Sequence, residues 1–208
     1  TADDIILAMG ARAKQLPNLV MDGQKIIDYR KAMSLPNQPK RMVVVGAGAI
    51  GVEFAYFYNA IGTEVTVIEF MEQGLVPRED EEISKELSKS FNKSGIKVHA
   101  NTEVTKVDTS GEGCKVYTKD RKSGTENTID CDVVLSAAGV SPNLEKSGIE
   151  DLGIQLDRGL IKVDGFGRTN VPGIYAIGDI TPGQALAHVA SAEGIICVEK
   201  IAGHHPIP

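Results

Sequence analysis

Only three cysteines, Cys114, Cys131 and Cys197, occur in the 208 residues, and none falls in a CxxC or CxxxxC spacing. The sequence therefore lacks both a zinc ligand set and a local redox pair. An odd, scattered set suits a reducing cytoplasm, and each reads as a small buried hydrophobe rather than a nucleophile. Positive charge is also scarce: 22 Lys and Arg against 28 Asp and Glu give a net charge of −6, which argues against a nucleic-acid footprint. No apolar run approaches the ~20 residues that cross a bilayer. The start, Thr1-Ala2-Asp3-Asp4, has neither the basic region nor the apolar segment of a signal peptide. It also has no initiator Met, so the chain is expected to be an excised piece of a longer one. His204 and His205 near the end read as a linker remnant, and no metal site is expected. There is no internal repeat and no low-complexity tract.

Against these absences, 42% hydrophobic content is enough to bury a real core. The most informative stretch runs from Met42 to Glu69. Four apolar residues, 42–45, lead into Gly46, Gly48 and Gly51, a helical pattern follows, and a second strand closes on Glu69 about 20 residues past the glycines. That is the context a dinucleotide-binding loop needs. Gly46 makes the tight turn, Gly48 lets the backbone approach a pyrophosphate, and Gly51 lets helix and strand pack closely. The free N–H groups at the helix start then face the phosphates. Glu69 can accept hydrogen bonds from both adenosine ribose hydroxyls and repels a 2′-phosphate. Phe70, Met71 and Glu72 add no Lys or Arg beside it, so NAD is favoured over NADP.

Around this unit the chain reads as α/β. A strand is expected over 5–8, a loosely helical segment over 25–35, and a linker bracketed by Pro36 and Pro39. Ile83, Leu87 and Phe91 form one apolar stripe of a helix over 79–94. The acids at its start are read as capping chemistry, and Gly95 follows as C-cap. A third strand lies over 96–100. Alternating segments over 104–108, 114–118 and 127–129, separated by glycine turns, form an antiparallel meander. Residues 132–137 then return as a buried strand ending at Gly139, which should line the same crevice as Gly46. Short strands over 160–163 and 173–177 and a helix over 183–203, rich in small residues, complete the chain.

Six motifs occur in one order: IILAMGAR (5–12), VVVGAGAIGVEFA (43–55), VIEF (67–70), SAAGVSPN (136–143), IYAIGD (174–179) and ALAH (185–188). Together they resemble the central portion of the flavoprotein pyridine nucleotide-disulfide oxidoreductases, which carry two dinucleotide-binding domains, and within them the dihydrolipoamide dehydrogenase branch. The resemblance covers essentially the whole chain. It implies a Rossmann-like parallel sheet with an antiparallel β-meander insertion, flanked by pieces of an FAD-binding domain. On this reading 1–14 is a strand from the FAD domain, 15–39 a connecting helix and linker, 40–150 the NAD-binding domain, and 151–208 the return to the FAD domain.

In that family electrons pass from a dihydrolipoyl thiol pair through a disulfide and FAD to NAD+. The resemblance assigns Gly46, Ala47, Gly48, Ala49, Ile50, Gly51, Val52 and Glu53 to the NAD-binding loop and helix start. Glu53 lies toward the nicotinamide, Glu69 takes the adenosine ribose, and Val104 and Gly139 complete the pocket. Toward FAD it assigns Gly10 at a turn, Asp179 on the ribityl chain, and Ala185, Leu186, Ala187 and His188 at the helix start under the flavin ring. Met9 stands where the family has Thr and Ala13 where it has Pro. Ala49 and Gly51 stand where NADP-linked glutathione reductases carry Tyr and Ala, which supports the NAD branch.

No catalytic residue falls in the chain, because no CxxxxC pair and no His-Glu acid–base pair are in it. The chain alone is expected to bind NADH and to hold FAD weakly or not at all. The resemblance further implies a parent that is a homodimer and a component of a 2-oxo acid dehydrogenase complex, with no nucleic-acid or membrane partner. Two other readings stay open: another NADH-linked flavin reductase, such as an NADH oxidase or peroxidase or a mercuric reductase, and a non-catalytic NAD-binding module.

Overall fold

Five parallel strands form the central sheet, in the order Ile26–Ile27, Val133–Ser136, Arg41–Val45, Glu64–Ile68, Lys97–His99. The computed structural model describes residues 2–208, and Thr1, the first residue of the expected flanking strand, lies outside them. The chain divides into two compact units, residues 13–139 and residues 1–12 with 140–208.

Within 13–139 the alternation of side chains along each strand builds three layers. Met42 and Val44 face one way, with Val65, Val67 and Leu135, and pack against the helices Ala49–Ala60 and Glu81–Lys93 through Ala55, Tyr58 and Phe91. Val43, Val45, Ile68 and Val134 face the other way and meet Val104, Cys114, Val116 and Cys131 of the meander. The strands are therefore covered on both faces, which is why they read as continuous apolar runs. Each fully buried Val or Leu here contributes about 1.5–3 kcal/mol. The meander is three antiparallel strands, Thr102–Asp108, Cys114–Asp120 and Glu126–Cys131.

The segment expected to be helical over 25–35 is mostly something else. Ile26–Ile27 is a sheet strand paired with Val134 and Leu135, and the helix is the single turn Tyr29–Ala32, capped by the Asp28 side chain. The β-branched Ile26 and Ile27 are both buried, one on each face, so strand geometry places two large side chains in core where a helix would place one. Asp22 sets the entry by accepting from the N–H groups of Gln24, Lys25 and Ile26. Elsewhere the expected elements are present with ends shifted by a few residues. The Glu81–Lys93 helix is capped by Asp80, which accepts from Glu82 N–H, and Gly95 turns the chain at φ +84°.

The strand order reverses beside Arg41–Val45. From it the chain moves to Glu64–Ile68 and Lys97–His99 on one side, then through the meander back to Val133–Ser136 on the other. Such a switch point opens a crevice at the carboxyl ends of the two strands.

In the other unit, Ile5–Leu7 pairs in parallel with Ile174–Ala176. Leu156–Asp157 and Leu160–Ile161 form a hairpin, and the helix Ala187–Ile201 follows. Leu144, Ile149, Ile161, Ala176 and Ile180 make its core.

Candidate dinucleotide site

The crevice at the switch point is shaped by backbone, at spacings that only glycine permits. Gly46 leaves the Arg41–Val45 strand at φ +103°, and a Cβ there would lie 2.5 Å from Ala137 O, on the neighbouring strand's exit. Gly51, one turn into the following helix, is closer still: its Cβ would sit 1.9 Å from Gly46 O. These two residues clamp strand and helix together. Gly48 is different. It is the N-cap of Ala49–Ala60 at φ −70°, ψ −176°, and nothing lies within 4 Å of where its Cβ would be. Open space beside the N-cap is what a phosphate needs to reach the helix amides.

The helix start is electrically vacant as well. No side chain caps it and no acid lies in its first turn, so the orphan N–H groups and the positive end of the dipole face that space. Ala49 is exposed there with Gly48, Ile50 and Val52 are half-buried, and Glu53 points to solvent from the next turn.

Glu69 sits beside the loop, only 7% exposed. Its Oε2 accepts from Ala47 N–H at 2.7 Å and its Oε1 from Met71 N–H at 2.8 Å. A carboxylate offers about four lone-pair directions, so about two remain for ribose hydroxyls after both bonds. The acid assigned to the sugar thus also holds the loop. Gly139, at φ +98° with open space at its Cβ, follows Ala137 at the crevice rim, and its carbonyl accepts from Lys14 N–H.

Val104 departs from a lining role for its side chain, which is buried in the core between sheet and meander. Its carbonyl accepts from Asn18 Nδ2. The strand bulges between Val104 and Lys106, and Thr102 N–H donates to Glu69 O, so this segment supports the Glu69 end of the crevice from beneath.

Two residues unmarked in the sequence complete the surroundings. Val76, at φ +42°, donates its N–H to Ala47 O at 2.7 Å. A β-branched residue in that region is strained, and the strain is coupled to the loop. Arg121, from the meander turn, lies over the Phe70 ring at 3.7 Å and donates to Phe70 O. A guanidinium therefore does stand one residue past Glu69, brought by the fold from far along the chain. Sequence proximity could not reveal it. Ser136, whose main chain pairs with Val45, has a buried hydroxyl with no partner among the described residues.

In the second unit, Gly10 turns at φ +65° and its carbonyl accepts from Asn143 N–H. Asp179 lies half-buried in the short 3-10 turn Gly178–Ile180, and Glu193 accepts from Gly178 N–H at 2.7 Å. The helix expected from 183 begins at Ala187, with Leu186 as an extended N-cap and Ala185 before it. Its start has no side-chain cap and no acid in the first turn, and Ala185, Leu186, Ala187 and His188 are all exposed.

Comparison with known proteins gives a consistent result. The family model described as pyridine nucleotide-disulphide oxidoreductase matches residues 1–194. A dihydrolipoyl dehydrogenase of Rhizobium etli is 45% identical over 98% of this chain and 42% of its own length. One from Zymomonas mobilis is 45% identical over 97% of this chain and 43% of its own. The crystal structure of LpdA from Mycobacterium tuberculosis superposes with a TM-score of 0.89 at 34% identity, covering 100% of this chain and 44% of that one. The chain thus spans less than half the length of these relatives.

Proposed function

Because the chain belongs to the pyridine nucleotide-disulphide oxidoreductase family, we propose that it is the pyridine-nucleotide-binding portion of a dihydrolipoyl dehydrogenase that uses NAD and FAD. The observation that carries this is the loop between Gly46 and Gly51: two glycines locked by backbone contact, a third with open space, and a buried acid tied to the loop amide. These residues fit NAD. The Ala49–Ala60 amides would hold the pyrophosphate, Gly48 would give it room, and Glu69 would take the adenosine ribose. Ala49, Ile50, Gly51, Val52 and Glu53 would line the path toward the nicotinamide, with Gly139 opposite.

The second unit fits a flavin by the same reasoning. Asp179 would accept from the ribityl hydroxyls, and Gly10 would let the backbone approach. The uncapped start of Ala187–Ile201 would favour negative charge near Ala185, Leu186, Ala187 and His188. Bound there, FAD supplies two-electron transfer between a dithiol and the nicotinamide. The chain's own contribution is to bind, orient and bias charge, and its parent would work as a homodimer within a 2-oxo acid dehydrogenase complex. A reducing cytoplasm is part of the same proposal, in keeping with three free, buried cysteines. No described helix is long and apolar enough to cross a membrane.

The test uses the longest natural protein that contains this chain. Dihydrolipoamide-dependent reduction of NAD+, with at least about tenfold preference over NADP+, is the expected result; the margin is what one charge-assisted contact supplies. A flavin-loaded protein that turns over NADH but ignores lipoamide would overturn the substrate and leave the nucleotide site standing. No binding of NADH at all would overturn both.

A further inference from the structure

Cys114 and Cys131 stand directly opposite one another on adjacent antiparallel strands of the meander. Distant in sequence and outside any redox spacing, they are brought together on its inner face, among Val43, Val116 and Val134. Their exposures are 4% and 2%, and the Cys114 thiol donates to Lys25 O and Asp132 O at 3.8 Å each. Directly opposed strand residues have Cβ atoms about 4.5–5.5 Å apart, and a disulfide needs about 3.5–4.5 Å. A closure of roughly 1 Å joins them. Gly113 already allows close approach of the strands, since a Cβ there would lie 2.5 Å from Cys131 O.

We propose that Cys114 and Cys131 are a two-electron redox site, separate from the nucleotide crevice, that a hydroperoxide oxidises to a disulfide linking the two strands. The neighbouring Cys131 thiol holds the Cys114 thiol below its ordinary range against the opposing effect of burial, and the Lys25 ammonium adds to it. That ammonium is fixed by donating to Thr109 O and Gly111 O. Asp22 and Asp132 act in the opposite sense on Cys114. Cys131 is pushed up by the neighbouring Cys114 thiol and by burial.

Access comes from the open end of the wedge between sheet and meander. Cys131 lines a cleft of about 390 Å³ there, with Arg41, Lys97, His99 and Thr128. Hydrogen peroxide is small enough to enter. One thiolate of the pair attacks one peroxide oxygen, breaking the O–O bond, and becomes a sulfenic acid while hydroxide leaves. The second sulfur then attacks the first, and the sulfenic hydroxyl departs as water with the second thiol's proton. In sum two thiols lose two hydrogens and one peroxide becomes two waters. Cys197 supplies the internal contrast: it is buried, its thiol is pushed up by burial, and Asp164 and Asp4 act on it rather than a second sulfur.

The experiment treats the full-length protein with hydrogen peroxide and blocks free thiols with N-ethylmaleimide in denaturant. Digestion with trypsin under non-reducing conditions precedes mass spectrometry. The expected product joins peptides 107–115 and 123–146, lighter by two hydrogen atoms than their sum, and reverts with dithiothreitol. Cys197 should remain alkylated. At the same dose Cys131→Val or Cys114→Ala should abolish the linked product. Should the wild type instead return both cysteines as maleimide adducts while other thiols of the same protein are oxidised, the proposal is overturned. A disulfide from either residue to any other cysteine would overturn it equally, and the wild-type digest decides even where a variant fails to fold.

Discussion

Ala47 N–H and Glu69 Oε2 are joined by a 2.7 Å hydrogen bond that ties the glycine loop to the end of the next strand. One carboxylate therefore fixes the loop and, on the proposed function, also takes the ribose. Removing it has two consequences with different readouts. Glu69→Ala should weaken NADH binding by about 1–3 kcal/mol, as for the loss of hydrogen bonds to a charged group. It should also lower stability by about 1–3 kcal/mol, because the amide of fully buried Ala47 loses its partner. Calorimetry and denaturant unfolding measure the two separately, and an unchanged NADH affinity would remove Glu69 from the site.

Arg121 over Phe70 bears on cofactor choice. With Glu69 in place, its carboxylate repels a 2′-phosphate. In a Glu69→Ser variant the guanidinium becomes the dominant local charge, and NADP+ affinity should rise by about tenfold. Adding Arg121→Ala should cancel that gain. Equal NADP+ affinity in the single and double variants would show that Arg121 only packs on Phe70.

Gly46→Ala should damage the fold itself. The new methyl would meet Ala137 O at 2.5 Å, in a backbone conformation of φ +103°. Strain of this kind costs about 1–3 kcal/mol, read as a lower unfolding midpoint with or without nucleotide.

Asp22 gives a pH dependence. Burial disfavours its charge, but the N–H groups of Gln24, Ile26 and Lys25 outweigh that and hold the carboxyl below its ordinary value of 3.8. The folded pKa lies below the unfolded one, so its contribution is complete above 3.8 and is lost as pH falls through the folded value. Asp22→Ala should cost about 0.5–2 kcal/mol at neutral pH, as for the loss of a capping side chain. Unfolding curves of variant and wild type should converge on acidification, and a constant gap down to strong acid would contradict the assignment.

Much of this architecture was legible from local pattern. The run from Met42 to Glu69 announced strand, turn, helix and acid because every interaction that fixes them is short in sequence or intrinsic to glycine. The Glu81–Lys93 helix was marked by its apolar stripe, its acidic first turn and Gly95. The Ile26–Ile27 strand was not legible, since two adjacent isoleucines beside a helical turn carry no periodicity and only pairing with Val134 and Leu135 makes them a strand. Arg121 on Phe70 and Cys114 opposite Cys131 were hidden for a related reason. Both depend on where the meander folds back, and strand register is set by turns and core packing over distances that spacing rules do not cover. Val104 shows the converse, since the family resemblance named the residue but could not say that its side chain points into core.

The most direct test of the nucleotide site is Gly48→Val, measured by NADH calorimetry and thermal unfolding on the same preparation. Gly48 has an extended backbone and open space at its Cβ, so the fold should tolerate the change, with Tm lowered by no more than about 2–4 °C. The added methyls would occupy the approach to the helix amides, so NADH affinity should fall by at least about tenfold, or ~1.4 kcal/mol. Wild-type affinity in a variant of near wild-type Tm would contradict the account.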